Sequence, residues 1–275
     1  MKVLRVVFIT LLVVALTVLT QVGGIILLLY LPLSRLLNLD FKQGLERWSY
    51  KALGFAGLYL IVTMLVIPHL APLTGRVPLP IFKRDNLQPR TILTCLLNRH
   101  YVKPELQELL IRVGQQMQQS HPNSTVTYLD AGFPFIDGFP LFPHLSHSDG
   151  EKVDVAFLYT DQTGQPQSAV TPSWIGYGAF EGPLPKEFDQ PAVCAEKGYW
   201  QYNMASYLTL EDGISDLVFD PVRTRNLIRF LATDQQVGKV FLEPHLKERL
   251  SLRFPTIRFH GCRAVRHDDH VHVQL

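Results

Sequence analysis

Two long uncharged stretches dominate the hydrophobic pattern of the first 75 residues. Residues 6–32 hold no charged side chain and consist mostly of Val, Ile and Leu, and residues 52–75 form a second uncharged run. A helix needs about 20 apolar residues to cross the hydrocarbon core of a bilayer, so both stretches are long enough. The pattern therefore predicts a membrane anchor over residues 1–75 with two transmembrane helices, at about 6–32 and 52–73.

Each stretch also has an alternative interpretation. The first follows Lys2 and Arg5 and so has the positive start of a signal peptide, but a signal peptide has an apolar region of only about 7–15 residues before an A-x-A-like cleavage site. The stretch is longer than that and no such site follows, so we expect the helix to be retained. The second stretch also fits a buried helix of a soluble core, although its length and the neighbouring span favour the membrane.

Beyond residue 75 the pattern changes to that of a mixed α+β domain. Residues 76–100 are rich in proline and basic side chains at their start, which predicts a linker. After the linker, apolar residues three and four apart predict helices, and alternating or β-branched runs predict strands. The predicted helices cover 103–119, 221–232 (with Val222, Leu227, Ile228 and Leu231 facing inward) and 245–250, and the predicted strands cover 125–129, 152–159, 238–242 and 270–273.

These elements show no regular βαβ repeat, so we expect a small antiparallel sheet with packed helices over residues 101–275. A Gly- and Pro-rich insertion at about 161–215 interrupts them, and loops of this length are usually functional or disordered. Its aromatic side chains indicate folded loops, packed as a lid or lining a substrate groove; they include Trp174, Tyr177, Phe180, Trp200 and Tyr202.

Charge divides the chain at the same place. The net charge of +2 combines +4 on residues 1–75 with −2 on residues 76–275. Four basic residues of the anchor lie in the loop 33–51 and two precede the first helix. The positive-inside rule therefore favours this loop in the cytoplasm and the soluble part on the extracytoplasmic side of the cell membrane. The slight acidity of the soluble part argues against a nucleic-acid partner.

The three cysteines, Cys95, Cys194 and Cys262, contain no C-x-x-C pair, which argues against a zinc-cysteine site. Three buried thiols fit their wide spacing best, and one disulfide in an oxidising compartment is the alternative. The sequence also has no Walker loop, no G-x-G-x-x-G and no G-x-S-x-G motif.

The candidate chemistry comes from histidines. A turn that contains Gly150 separates His147 from Asp154, which lies on the following predicted strand, so the turn can bring imidazole and carboxylate together. Near the C-terminus, His270 and His272 project together, because residues two apart in a strand face the same side. Imidazole nitrogen and carboxylate oxygen both suit zinc. Each pattern taken alone also fits a surface loop, a cap or a polar tail.

Together the two patterns resemble the lysostaphin-type, D-Ala-D-Ala metallopeptidase and Hedgehog (LAS) superfamily. The run 147–154 (HSDGEKVD) is similar to the family's S-x-H-x-x-G-x-A-x-D element, and 127–133 (TYLDAGF) is similar to its lead-in. The tail H-x-x-H-x-H resembles the penicillin-insensitive murein endopeptidase branch, and 269–272 also satisfies D-x-x-H. Leu145 and Lys152 depart from the element, which has serine and alanine there, and the long interval between the motifs implies an insertion.

The resemblance implies a zinc ion with three protein ligands and a water, the ligands being His147, Asp154 and His272. By the D-x-x-H analogy it implies Asp269 as the base that takes the proton of the water. It implies His270 as the group that stabilises the oxyanion or shares the proton, and His267 in either role.

The predicted membrane anchor and the implied zinc site are consistent with two functions from different classes. The first is a membrane-anchored zinc peptidase that hydrolyses a peptide bond in peptidoglycan cross-links or stem peptides. The second is a membrane-anchored zinc-binding interaction module without hydrolytic activity, because Hedgehog domains show that this fold does not imply catalysis. A membrane protein with purely structural histidines is a third interpretation.

Overall fold

The computed structural model describes residues 2–37, 44–207, 209 and 216–275, so parts of the loop 33–51 and of the insertion 161–215 lie outside the described residues. The helices are α1 (Lys2–Thr20), α2 (Gly23–Leu36), α3 (Gly44–Ile61), α4 (Ile67–Leu70), α5 (Ile92–Leu96), α6 (Pro104–Ser120), α7 (Gln190–Glu196), α8 (Pro221–Thr233) and α9 (Pro244–Arg249). A π-helical turn, Val62–Val66, joins α3 to α4, and 3₁₀ turns cover Ala71–Thr74 and Trp200–Tyr207. The strands are β1 (Val77–Pro78), β2 (Leu87–Pro89), β3 (Tyr101–Val102), β4 (Val126–Tyr128), β5 (Lys152–Ala156), β6 (Tyr159–Thr160), β7 (Pro166–Gln167), β8 (Val218–Phe219), β9 (Lys239–Phe241), β10 (Ile257–Arg258) and β11 (His270–Gln274).

The first predicted span is two helices rather than one. α1 ends at Thr20, Gln21 adopts a left-handed backbone with φ of +66°, and α2 folds back along α1. Gly24 permits this close crossing, because a Cβ there would lie 2.0 Å from Thr17 Oγ1 and 2.6 Å from Val13 O. The hydropathy pattern predicted a single helix because the residues of the turn are as uncharged as those of the helices beside it.

Two described helices are long and apolar enough, by length and composition, to cross a membrane: Val3–Thr20 and Glu46–Thr74. The second coincides with the span predicted at 52–73. Only 6% of the residues of Val3–Thr20 and 11% of the most apolar 18-residue stretch of Glu46–Thr74 are buried within the protein. Most of their side chains therefore face outward, as lipid-facing side chains do. α2 is also apolar but has 14 residues, a length of about 21 Å, which is shorter than the hydrocarbon core.

The apolar N-terminal helices meet the domain at one end. Ile26 in the first turn of α2 belongs to one apolar cluster with Ala71, beyond α4, and with Tyr101 of the domain. Further along α2, the Tyr30 hydroxyl donates to Lys51 O near the start of α3 at 2.8 Å. α2 therefore runs antiparallel to α3. The α1–α2 turn and the end of α4 lie against the domain, and the start of α1, the end of α2 and the start of α3 lie at the far ends.

A six-stranded sheet carries the domain, in the order β10-β9-β11-β5-β4-β2. The four central strands pair antiparallel, as the sequence predicts. The two edge strands are a correction to that prediction, since β10 and β2 run parallel to their neighbours. β11 lies in the middle of the sheet between β9 and β5, so the C-terminal histidines are central rather than part of a frayed tail.

Helices α6 and α8 pack on each other and on the sheet. The predicted inward residues of α6 are all buried: Leu106, Leu109, Leu110, Val113 and Met117. In α8, Leu227, Ile228 and Leu231 are buried as predicted, but Val222 is 62% exposed. Val222 lies in the first turn of α8, directly after the N-cap Asp220, where the chain enters the helix from outside the core.

The predicted linker at residues 76–100 is instead folded into the domain. β1 pairs with β3 and β2 pairs with β4, and Leu79, Leu87 and Cys95 are fully buried in the core. Proline is tolerated in such edge strands because their outer N–H groups have no partner to lose. The last helical turn ends at Thr74 and β1 begins at Val77, so no flexible tether separates the described apolar helices from the domain.

A disulfide ties the insertion to the domain. Cys194 of α7 is bonded to Cys262, 68 residues later in the chain, and Cys95 is a buried free thiol. The expectation of three buried thiols is therefore wrong for two of them. Spacing could not identify the pair, because the pairing depends on which segments the fold brings together.

Candidate metal centre

Two central strands place Asp154 and His272 side by side. Asp154 on β5 is the direct antiparallel partner of His272 on β11, so both side chains leave the same face of the sheet at neighbouring positions. His147 reaches them from the preceding loop, where Gly150 turns the chain with φ of +74°. The sequence predicts this turn, and the pairing of β5 with β11 completes the group.

The three predicted ligands form a close, buried triangle. His147 Nε2 lies 3.1 Å from His272 Nδ1 and 3.2 Å from Asp154 Oδ1, and His272 Nδ1 lies 2.9 Å from Asp154 Oδ1. Tetrahedral ligands of zinc are roughly 3.3 Å apart, so one ion fits between these atoms after a small outward adjustment. Among the described residues, this is the group with the spacing of metal ligands, and it could hold a metal ion.

The hydrogen bonds around the triangle favour a cation at its centre. Ala131 O accepts from His147 Nδ1 at 3.0 Å, which leaves Nε2 of a neutral His147 as a lone pair. Asp154 Oδ1 also presents a lone pair, 3.2 Å away, and no proton then lies between the two atoms. A positive ion removes their repulsion. A backbone carbonyl that fixes the other ring nitrogen is the usual support of a metal-binding histidine.

The second oxygen of Asp154 is held by residues that the sequence motifs did not single out. The Tyr177 hydroxyl donates to Asp154 Oδ2 at 2.8 Å and accepts from Asp130 N at 3.1 Å. His144 Nδ1 lies 3.1 Å from Asp130 Oδ2 and 3.4 Å from Asp154 Oδ2. Tyr177 belongs to the insertion, so this part of the insertion packs beside the candidate ligands and orients one of them.

His270 and Asp269 form a second pair beside the triangle. His270 Nδ1 is hydrogen-bonded to Asp269 Oδ1, and Asp269 Oδ2 accepts from Gly178 N at 2.5 Å. His270 Nε2 is buried without a hydrogen-bond partner among the described residues and lies 3.6 Å from Asp154 Oδ1. Both carboxylate oxygens of Asp269 are thus engaged, and the group that faces the triangle is His270.

The third residue of the predicted catalytic set, His267, lies on the wall of the same site. Its ring centroid is 5.1 Å from that of His270, and its backbone N–H donates to Glu243 Oε1. His260, for which the sequence offers no partner, stacks on Phe241 with 4.0 Å between ring centroids. His267 and His260 both line a cavity of about 450 Å³ whose wall includes the triangle.

Burial and charge together set the protonation of the centre. Burial favours the neutral form of Asp154, but the positive charges and hydrogen bonds of the surrounding histidines hold its pKa well below the usual value. Burial lowers the pKa of His272 to about 4 and holds the pKa of His267 well below its ordinary value. Burial also opposes protonation of His270, but the carboxylates of Asp154 and Asp269 raise its pKa to about 9. His272 is therefore neutral near pH 7, as a metal ligand must be.

The two departures from the family element do not reach the triangle. Leu145 is 55% exposed, and Lys152 Nζ pairs with Asp149 Oδ2. The residues that sequence reasoning missed are those around the ligands rather than the ligands themselves. A weak signal existed for two of them, since His144 is three residues before His147 and Asp130 lies within the lead-in segment 127–133.

Comparison of the chain with protein-family models and with curated proteins gives no match. The likeness to the LAS superfamily is therefore an interpretation of the motif residues and of their spacing.

Proposed function

We propose that the protein is a membrane-anchored zinc peptidase that hydrolyses a peptide bond in peptidoglycan cross-links or stem peptides. The observation that carries the proposal is the triangle of His147, Asp154 and His272 with the unpartnered Nε2 of His270 beside it. Three protein ligands leave a fourth position for water, which is typical of catalytic rather than structural zinc. The substrate class comes from the resemblance to the LAS superfamily.

Zinc suits this donor set because imidazole nitrogen and carboxylate oxygen are both ordinary zinc ligands at tetrahedral spacing. Zinc, when bound, would lower the pKa of a water and polarise the scissile carbonyl. The chain's own contribution is to fix the ligands. Ala131 O accepts a hydrogen bond from His147, and the Tyr177 hydroxyl donates one to Asp154. Loss of such a supporting contact typically lowers metal affinity or activity by about 10–100-fold.

We assign proton transfer to His270 and a positioning role to Asp269. Nε2 of His270 faces the triangle, and Asp269 holds Nδ1 so that the ring keeps its orientation. The raised pKa leaves the ring charged near pH 7, so it stabilises the oxygen that gains charge and donates its Nε2 proton to the leaving amine. The neutral ring then takes the proton that the attacking water releases. Asp269 stabilises the charged ring, as the carboxylate of a catalytic triad does. His267 stays the second candidate for the proton-transfer role.

The proposed activity predicts metal-dependent release of new termini from cell-wall peptides. The full-length protein, purified in detergent, should carry close to one zinc per chain and cleave cross-linked stem peptides or murein sacculi. Removal of the metal by a chelator should stop cleavage, and added zinc should restore it. Analysis of the released termini by mass spectrometry identifies the bond. Zinc-loaded protein that cleaves neither substrate would favour the interaction module, and cleavage by metal-free protein would contradict the metal centre.

We infer that the domain lies on the extracytoplasmic side. Arg5 lies near the start of α1, Arg35 near the end of α2 and Arg47 in the first turn of α3, so these basic residues lie at the helix ends remote from the domain. A single helix over residues 6–32 would place Lys2 and Arg5 on the side opposite the basic loop, and this argues against an extracytoplasmic domain. The break in that stretch moves them to the same side as the basic loop. A disulfide in the domain also fits an oxidising compartment.

This topology predicts the reactivity of introduced cysteines in intact cells. Glu105→Cys, on an exposed position of α6, should react with a membrane-impermeant maleimide in intact cells. Val3→Cys, an exposed position in the first turn of α1, should react only after lysis. The parent chain is the control, because its cysteines are buried or disulfide-bonded. The opposite pattern of labelling would place the domain in the cytoplasm.

A further inference from the structure

We propose that the peptide substrate is itself anchored by a lipid in the bilayer that holds the enzyme, and that it reaches the metal centre from the membrane side. The inference rests on the proposed peptidase function and narrows its substrate class. Three features carry it: a domain fixed to the membrane helices, a metal centre close to their ends, and an apolar-walled cavity between the two.

Hydrogen bonds fix the domain to the helix ends. Asn98 Nδ2 donates to Thr20 O at the end of α1 at 3.3 Å. The hydroxyl of Tyr59, near the end of α3, donates to Leu96 O at 2.6 Å. Because the chain passes from the last helical turn into β1 without a tether, the domain cannot rise from the membrane surface without breaking these contacts.

The metal centre lies close to the same helix ends. Thr20 O accepts a hydrogen bond from the side chain of Asn98. Arg99 follows Asn98 in the chain, and its carbonyl oxygen accepts from Ala131 N at 2.9 Å. Ala131 O in turn accepts from the ligand His147. With about 3.8 Å between consecutive Cα atoms, about 5 Å between bonded strands and the lengths of the side chains included, this path bounds the distance from Thr20 to the metal centre at roughly 25 Å.

The distance of the metal centre from Thr20 also limits its distance from the membrane, because Thr20 lies at the membrane surface. α1 has 19 residues and is therefore about 28 Å long, which matches the hydrocarbon thickness of about 30 Å. The end of α1 at Thr20 then lies at the membrane surface. The metal centre therefore lies within roughly 25 Å of that surface.

A cavity of about 200 Å³ lies between the membrane-proximal helix α5 and the residues that surround the metal centre. Leu93 and Leu97, in and directly after α5, line it. Pro143 and His144 line it as well and also line the cavity that contains the triangle. Ile92, next to Leu93, is 49% exposed and does not line the cavity. A substrate can therefore extend from the metal centre towards the side on which α5 meets the membrane helices.

The loop 133–146 forms a second edge that runs from the membrane helices to the metal centre. Phe135 N donates to Gln21 Oε1, in the α1–α2 turn, at 2.8 Å, and the loop ends directly before His147. Apolar side chains exposed along a segment anchored at the membrane surface suit contact with lipid. In this loop they are Ile136, Phe142 and Leu145.

A site held this close to the bilayer by a rigid scaffold meets only substrates that come to the membrane surface. A peptide on a lipid anchor is confined to that surface, where its effective concentration reaches the millimolar range. A stem peptide deep in an insoluble wall polymer has no such confinement, and the domain has no tether with which to reach it. The geometry therefore favours the lipid-anchored stem peptide over the polymer.

The test presents one synthetic stem peptide to the full-length protein in liposomes in three forms: free in solution, acylated in the same liposomes, and acylated in separate liposomes. At equal bulk concentration we expect the same-liposome rate to exceed the free-peptide rate by at least about tenfold. We expect the separate-liposome rate to fall below about a tenth of the same-liposome rate. Equal rates in the three arms would overturn the inference and leave the peptidase function standing. Cleavage in no arm would overturn the function, and the inference with it.

A pair of variants separates docking at the membrane from simple confinement. Ile92→Asp places a charge at an exposed position of α5, the helix whose Leu96 O accepts from Tyr59. We expect it to lower the same-liposome rate several-fold with the free-peptide rate unchanged. Val222→Asp is the matched control, because Val222 is similarly exposed but lies on α8, and it should change neither rate. If the two variants behave alike in all arms, entry from the membrane side is wrong.

Discussion

Replacement of His272 by alanine is expected to remove both the bound zinc and the peptidase activity. His272 Nδ1 supplies one corner of the triangle, 2.9 Å from Asp154 Oδ1 and 3.1 Å from His147 Nε2. Loss of a residue that only supports a ligand weakens a metal site by about 10–100-fold, so loss of a ligand should exceed that range. Metal analysis after dialysis should show bound zinc falling to roughly a tenth of the parent value or less, with hydrolysis falling with it.

His260→Ala is the matched control for this variant. His260 lines the same cavity and stacks on Phe241, but it lies outside the triangle, so the variant should keep its zinc. Because His272 is buried, a second variant, His272→Gln, keeps the volume while it removes the imidazole. Protection of the buried Cys95 thiol from alkylation reports whether each variant is folded. Full zinc content in a folded His272→Ala protein would show that the triangle is not the metal centre.

Replacement of His270 by alanine is expected to separate metal binding from catalysis. His270 is outside the triangle and its Nε2 has no hydrogen-bond partner among the described residues, so the variant should keep its zinc. Removal of a general acid or base typically lowers turnover by about 10²–10⁴-fold. The measurement is zinc content together with kcat on a stem peptide, and the expected result is near-parent zinc with kcat reduced by that factor.

Asp269→Asn tests the support of His270 in the same assay. The amide keeps the shape of the side chain but removes the charge that stabilises the protonated ring, so we expect kcat to fall while zinc is retained. Full turnover in His270→Ala would assign the proton transfer elsewhere, with His267 as the next group to replace. If the parent protein binds zinc without turnover and a cellular phenotype survives Asp269→Asn and His270→Ala, the interaction module is the better description.

Several elements follow from the sequence because their determinants are local. The apolar periodicity of residues 103–119 gives α6 with its predicted face buried, and the length of the second uncharged stretch gives the apolar helix Glu46–Thr74. The alternation at 270–273 gives β11. In each case the repeat of a helix or strand is shorter than the segment that carries it, so the pattern is complete within that segment.

The errors come from features that no local pattern contains. Residues 6–32 read as one apolar helix, but the left-handed Gln21 and the close approach at Gly24 turn the chain back. Residues 76–100 read as a linker by composition, yet they pair with β3 and β4. Cys194 and Cys262 become a disulfide only because the insertion folds against the loop that precedes β11.

The sequence by itself determined the residue types of the candidate metal centre, the turn that separates His147 from Asp154, and the strand that aligns His270 with His272. Only the tertiary structure decided that these segments meet. The side chains of Asp154 and His272 touch across 118 residues of chain, and that contact depends on β11 inserting between β5 and β9. It also decided that His270 rather than Asp269 faces the triangle, because the direction of each side chain depends on the packing around it. The distance of the centre from the end of α1 was likewise fixed by long-range contacts, since it depends on the hydrogen bonds that hold the domain on the ends of the helices.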